Sequence, residues 1–167
     1  MALTFLKSLA FGALALGICV GAAAPDGVAL VGPDGQAGEL TSREAAALPH
    51  DAVTLEAHGR RTTYQGLALG TVVARVGAAQ GKAIHGAELA TVVRVTAADG
   101  YQVVLGLAET DPGTRPNRVI LADRADGAPL GPEEGPFRLV VEGDLRPARS
   151  ARNVVRIEVL RLSTARP

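Results

Sequence analysis

The side chains best suited to chemistry in this 167-residue chain are arginines. Arg146, Arg149 and Arg152 recur at every third position in a segment, Asp144 to Asn153, that follows neither helical nor strand periodicity. Guanidinium groups present fixed forks of N–H donors, so such a cluster suits bidentate capture of a small anion, with a charged rim as the alternative. Arg60 and Arg61 form a second basic pair beside the turn residues His58-Gly59, where anion contact and a solvated face explain them equally. Tyr101 follows Asp99-Gly100 at the start of a strand, a place where the ring can pack and the hydroxyl stay free. His50, His58 and His85 lack the i, i+4 spacing of a helical metal pair. Glu109 with Asp111 and Glu133 with Glu134 stand beside Gly or Pro and read as surface charge. No serine sits in a nucleophile elbow, and neither a P-loop nor a dinucleotide fingerprint occurs.

The elements that must position these groups are mostly strands. Thr91 to Thr96 and Tyr101 to Leu105 are β-branched runs around Ala97-Ala98-Asp99-Gly100, the pattern of a buried hairpin. Val53 to Ala57 and Arg61 to Tyr64 make a second pair, Arg118 to Ala122 and Phe137 to Val141 two more strands, and Val154 to Leu160 a last one. In the last strand Val155, Ile157 and Val159 alternate with Arg156 and Glu158, giving one wet face. Thr41-Ser42-Arg43-Glu44 has the form of a capping box opening a short helix that Pro49 ends. Leu69, Val72, Val73 and Val76 form a helical stripe stopped by Gly77. Weaker helical turns are expected over Lys82 to Leu89 and over Gly106 to Glu109. Strands outnumber helices, which predicts an α+β domain with a mixed β-sheet and a few short helices.

Composition narrows the classes of function. Residues 1–23 carry Lys7, an apolar run from Leu9 to Val20 and small residues at its end, the pattern of a secretory signal peptide too short to span a bilayer. Its removal would take Lys7 and Cys19, so that acidic residues outnumber basic ones by one and no cysteine remains. A chain near neutrality has no field to gather nucleic acid or an anionic membrane, and one without cysteine has no disulfide or thiolate chemistry. We therefore expect a periplasmic or secreted protein, with no nucleic-acid partner and no stable membrane insertion after the signal is removed. Residues 24–38, rich in Gly and Pro, are expected to be a flexible leader with at most one edge strand, residues 39–162 the domain, and residues 163–167 a tail.

The order of these signals resembles the oxidoreductase molybdopterin-binding domain, the fold of sulfite oxidases and their bacterial relatives. The likeness lies in Gly59 to Gly66 with the helix at Leu69, Asp99-Gly-Tyr101 through Leu107, Ile120-Leu-Ala with Gly127 to Leu130, Gly135 to Val141, and Arg149 to Val159. The resemblance implies a sulfite-oxidase-like fold in a short form. In that family a cysteine four residues before a paired Arg-Arg helps hold molybdenum, and matching the pair to Arg60-Arg61 places Glu56 at the cysteine position. A carboxylate is a harder donor than the thiolate that suits this metal. By the same matching Tyr101 takes the place of the active-site tyrosine. Arg149 and Arg152 fall where basic residues precede the last strand, facing a pterin phosphate or an oxyanion. Asn153 stands where an aromatic often follows.

These implications predict an exported binding or accessory module for a redox system, with molybdopterin or a small anion as ligand and a redox protein as partner. A molybdenum- or pterin-dependent oxidoreductase acting on a small oxyanion and a structural module without ligand are the alternatives. In the first two readings Glu56, Tyr101 and Arg149 should converge on one hollow.

Overall fold

The computed structural model describes residues 26–57 and 59–162. The expected signal peptide, His58 and the tail at 163–167 lie outside the described residues. The chain begins with β1 (Gly27–Val31), β2 (Ala37–Thr41) and α1 (Ser42–Ala46), followed by β3 (Asp51–Ala57), β4 (Arg60–Ala68) and α2 (Leu69–Ala74). Two 3₁₀ turns lead into the hairpin of β5 (Thr91–Ala97) and β6 (Gln102–Gly106). Then come β7 (Val119–Ala125), β8 (Ala128–Pro129), β9 (Arg138–Val141) and β10 (Val154–Arg161). This is the expected α+β architecture, mainly sheet with two short helices among the described residues.

One sheet has the order β2-β1-β10-β5-β6. The other runs β3-β4-β7-β8, with β9 also paired to β7. The expected leader is therefore part of the domain. β1 lies between β2 and β10, parallel to β10, and its Val28 and Leu30 are fully buried. Gly32, Pro33 and Gly35, among the residues that suggested a leader, mark the turn between β1 and β2, while the short apolar run Val28 to Val31 is an interior strand. It is interior by pairing on both edges, while its burial still alternates, with Val28 and Leu30 turned to the core and Ala29 exposed.

Local rules account for the helices. Thr41 caps α1 by accepting from the Glu44 amide, and the Glu44 carboxylate accepts from the Thr41 amide at 3.0 Å, completing the capping box. Leu69, Val72, Val73 and Val76 are all buried, so the helical stripe faces the core, and Gly77 ends the turn at φ +83°. They pack with Val93, Val95, Leu105, Ile157 and Val159 of the first sheet and Leu121, Leu139 and Val141 of the second. Each such side chain stabilises the fold by roughly 1.5–3 kcal/mol on leaving water.

Two strand readings change. The β5–β6 hairpin is buried on one face only, with Val103 and Leu105 turned to the core and Gln102 and Val104 exposed, and β6 lies at the edge of its sheet. In β10 the register shifts between Val154 and Arg156, so Val154 rather than Val155 is buried with Ile157 and Val159. An irregularity of this kind adds a residue to one strand and resets its side-chain parity. Glu158, expected on the wet face, is buried and takes up Arg94 and Arg156.

Within the second sheet β7 is apolar on both faces from Val119 to Ala122. Val119 and Leu121 of β7 join the main core, whereas Ile120 and Ala122 pack with Val53, Leu55, Tyr64 and Val140 in a separate cluster. Gly66 makes this possible at the β4–β7 irregularity, since a Cβ there would lie 2.2 Å from the Leu121 carbonyl oxygen. The functional candidates gather at the end of this second cluster.

Candidate functional site

A hollow of about 610 Å³ opens beside the β3–β4 hairpin. Strand parity decides which residues reach it. Leu55 and Thr62 are cross-strand partners, as are Ala57 and Arg60, and all four line the hollow, with Tyr64 two residues further along β4. The intervening pairs, Thr54 with Thr63 and Glu56 with Arg61, fall on the opposite face. Ala125, Asp126 and Ala128 supply the wall from the β7–β8 turn. That turn holds Asp126 at φ +50° and Gly127 at φ +82°, and Asp126 Oδ1 accepts from the Thr63 amide at 2.8 Å.

Arg138 closes the floor. It sits on β9 opposite Ala122, with only 6 % of its surface exposed. Its guanidinium lies over the Tyr64 ring, 4.7 Å from the centroid, and Nη1 donates to the Tyr64 hydroxyl at 2.6 Å and to Glu134 Oε1. The Tyr64 hydroxyl in turn donates to the same Glu134 oxygen at 3.3 Å. Burial pushes the Tyr64 phenol above its usual pKa, and the Arg138 cation partly opposes that rise. Arg138 Nε is buried and, among the described residues, has no hydrogen-bond partner.

Glu134 belongs to the loop before β9, where the Glu134 and Gly135 amides both bond back to Gly131. The Asn153 amide donates to the Glu134 carbonyl, and Asn153 Nδ2 to the Glu133 carbonyl at 3.1 Å. This tie brings Arg152 to the rim, with Nε 4.0 Å from Glu134 Oε1. Three guanidinium groups and two carboxylates therefore line the hollow, opposite an apolar wall of Leu55, Ala57, Ala125 and Ala128.

The residues singled out from sequence distribute unevenly around this hollow. Arg60 and Arg152 line it. Arg61 and Glu56 are exposed and face each other on the outer side of the hairpin, a cross-strand pair of opposite charge. Tyr101 and Arg152 line a second hollow of about 630 Å³, with Asp99, Glu133 and Asn153. The Tyr101 hydroxyl is not free, since it donates to the Ala148 carbonyl at 2.8 Å. Arg149 lines neither hollow. Its Nε and Nη2 grip Asp144 at 2.9 and 2.6 Å and its Nη1 reaches Glu109 at 3.2 Å, and the Asp144 bonds hold the guanidinium above its usual pKa. Glu56, Tyr101 and Arg149 accordingly do not converge on one hollow, so the pocket expected from the family matching is not formed by them: strand parity turns Glu56 outward, Tyr101 is spent on the Ala148 carbonyl and Arg149 on two carboxylates, and a basic hollow survives only through Arg60 and Arg152 with residues not expected from sequence.

Sequence reasoning passed over Tyr64 and Arg138 and read Glu134 as surface charge. The signal was present in Phe137 to Val141, because an arginine inside a fully apolar strand demands a buried partner. Glu134, four residues earlier, is that partner rather than surface charge, and Glu109 likewise serves Arg115 and Arg149. His50 is engaged by Asp123 at 3.0 Å and the Leu48 carbonyl at 2.7 Å. Among the described residues no group of three or more His, Cys, Asp or Glu side chains could hold a metal ion.

A family model for the oxidoreductase molybdopterin binding domain matches residues 41–165. The chain belongs to that family, and its fold is the one the resemblance implied. Among solved structures it is similar to the sulfane dehydrogenase SoxCD from Paracoccus pantotrophus, with a TM-score of 0.62, 18 % identity, and coverage of 84 % of this chain and 39 % of that one. At that identity the likeness is one of fold, and the chain spans well under half the length of its structural relative. No curated protein matches it. Among the described residues no helix is long and apolar enough to cross a membrane.

The family name implies a molybdopterin, and the donor set meets that group only in part. Guanidinium groups at Arg60, Arg138 and Arg152 suit an anionic end such as a phosphate. The described residues contain no cysteine, the chain's single one being Cys19, so they offer no thiolate to the metal. These side chains thus fit an anion and do not fit the metal end, and no redox step is derived through them.

Proposed function

We propose that this protein is an exported, non-catalytic member of the molybdopterin-binding-domain family that serves a redox system as a binding or accessory module. The observation that carries this reading is the hollow beside the β3–β4 hairpin, where arginines and a buried tyrosine gather without a soft metal ligand. On the family matching, Glu56 stands in the place of the metal-binding cysteine, and its side chain lies on the outer face of the hairpin. Residues 1–23 support export to the periplasm through their signal-like pattern. The family and the likeness to a dehydrogenase support a redox protein as partner.

The deciding experiment is elemental and pterin analysis of the protein purified from a host that makes molybdopterin. The expected result is less than a tenth of an equivalent of molybdenum. Stoichiometric molybdenum with released pterin would overturn the reading in favour of an oxidoreductase. The N-terminal residue of protein recovered from the periplasmic fraction checks export, with a start near Ala24 expected.

A further inference from the structure

The hollow beside the β3–β4 hairpin already holds a carboxylate, and that carboxylate belongs to the protein. A single oxygen of Glu134 receives the Tyr64 hydroxyl and Arg138 Nη1 and lies 4.0 Å from Arg152 Nε. Three donors from β4, β9 and the segment before β10 thus converge on one acceptor, the arrangement expected around a bound anion. Even so, the Arg138 guanidinium is incompletely used. Its Nε has no partner despite burial, and among the described residues only Nη1 makes hydrogen bonds. The Nε is closed off from the hollow, so its cost persists whatever the hollow holds, and the donor a ligand can take over is the Nη1 that Glu134 now occupies.

We propose that this hollow is a binding site for a small organic carboxylate, and that Glu134 is its tethered competitor. The inference rests on the reading of the protein as a binding module and names the ligand class. The carboxylate of the ligand takes the place of Glu134 against Tyr64, Arg138 and Arg152, and its organic part lies on Leu55, Ala57, Ala125 and Ala128. Glu134 is suited to yield. It stands on a short loop whose Gly131, Pro132 and Glu133 are exposed, so its side chain can swing outward while the backbone stays tied to Asn153. With Glu134 displaced, Arg60, Arg138 and Arg152 face only Asp126, which pairs loosely with Arg60 at 3.9 Å. A tethered group competes at an effective concentration in the millimolar range, which keeps the resting affinity for a free carboxylate low.

The test titrates benzoate and inorganic phosphate into the full chain and its variants by calorimetry. The proposal expects weak benzoate binding to the unaltered protein and at least tenfold tighter binding to E134Q, where the amide no longer competes as an anion. R152Q, at a side chain 61 % exposed and so of little risk to folding, should weaken benzoate at least fivefold. Equal benzoate affinity in E134Q and the unaltered chain overturns the tethered competitor. Phosphate binding E134Q more tightly than benzoate overturns the carboxylate assignment. Should E134Q fail to fold, R152Q decides alone, and unchanged benzoate affinity there refutes the site. These titrations need no metal or pterin, so their failure is separate from a failed molybdenum assay.

Discussion

Arg138 and Arg149 are both arginines in clusters of opposite charge, yet the fold uses them differently. Arg149 spends its guanidinium on Asp144 and Glu109 at the surface, with two parallel bonds to one carboxylate. Arg138 is buried and shares one nitrogen between Tyr64 and Glu134, while its Nε finds no partner among the described residues. A saturated guanidinium holds a loop in place. One that meets its carboxylate through a single nitrogen at the wall of a hollow can exchange that carboxylate for another. The contrast teaches that count and spacing of arginines locate basic segments, whereas the balance of donors against acceptors separates structural pairs from binding ones.

The largest effect that could break this contrast is the loss of Arg138. Arg138→Met leaves Glu134 without its main partner and the Tyr64 hydroxyl without its cationic donor, and removing one member of a buried pair costs about 3 kcal/mol. Urea unfolding should show a midpoint lowered accordingly. The double variant with Glu134→Gln should recover part of that loss, because no unpaired charge remains. A loss in Arg138→Met no greater than that in Arg149→Ala would erase the distinction between the two arginines.

Much of the architecture was legible before the structure. The helical stripe from Leu69 to Val76, the capping box at Thr41 and Glu44, and most strands follow from periodicity and caps, since these are local properties of the chain. β1 was not legible as an interior strand, because its place is set by parallel pairing with β10, well over a hundred residues away. The site was half legible for a similar reason. Adjacent residues of a strand point to opposite faces, so Arg60 and Arg61 could never both enter one hollow, and that much the sequence allowed. Which of the two faces the hollow depends on β4 lying against β7, which composition does not encode.

Tyr64 probes the middle of the comparison. Tyr64→Phe removes a hydroxyl bonded to a cation and a carboxylate, which should cost about 1.5 kcal/mol. The sign of its pH dependence follows from burial. A phenol whose folded pKa is raised keeps its proton after the unfolded chain has lost it, so its contribution is complete below pH 10.0 and is lost as pH rises through the folded value. The unaltered protein should therefore lose stability above pH 10 along a slope that Tyr64→Phe reduces. Identical alkaline limbs would show that the phenol is not held neutral by its surroundings.

Arg149→Ala tests the other side. The Arg149 side chain is a third exposed and solvent screens the pair, so its loss should cost about 1 kcal/mol and leave benzoate affinity within a factor of two. A large drop in affinity would return Arg149 to the binding machinery and show that the saturated guanidinium reaches the hollow through its loop.

The finest test compares two neighbours of the same type. Arg60 lines the hollow opposite Ala57, and Arg61 stands on the outer face opposite Glu56, so the two differ in strand parity and in little else. Both are exposed, and neither alanine substitution should change stability by more than about 0.5 kcal/mol. Arg60→Ala should nevertheless weaken benzoate binding two- to threefold, because it removes one of the three positive charges facing the ligand, while Arg61→Ala should leave it unchanged. Equal losses from both would mean that the pair acts through a diffuse field, which salt would abolish for each alike. A loss from Arg60→Ala alone that survives added salt would locate the ligand on the face shared by Leu55, Thr62 and Tyr64.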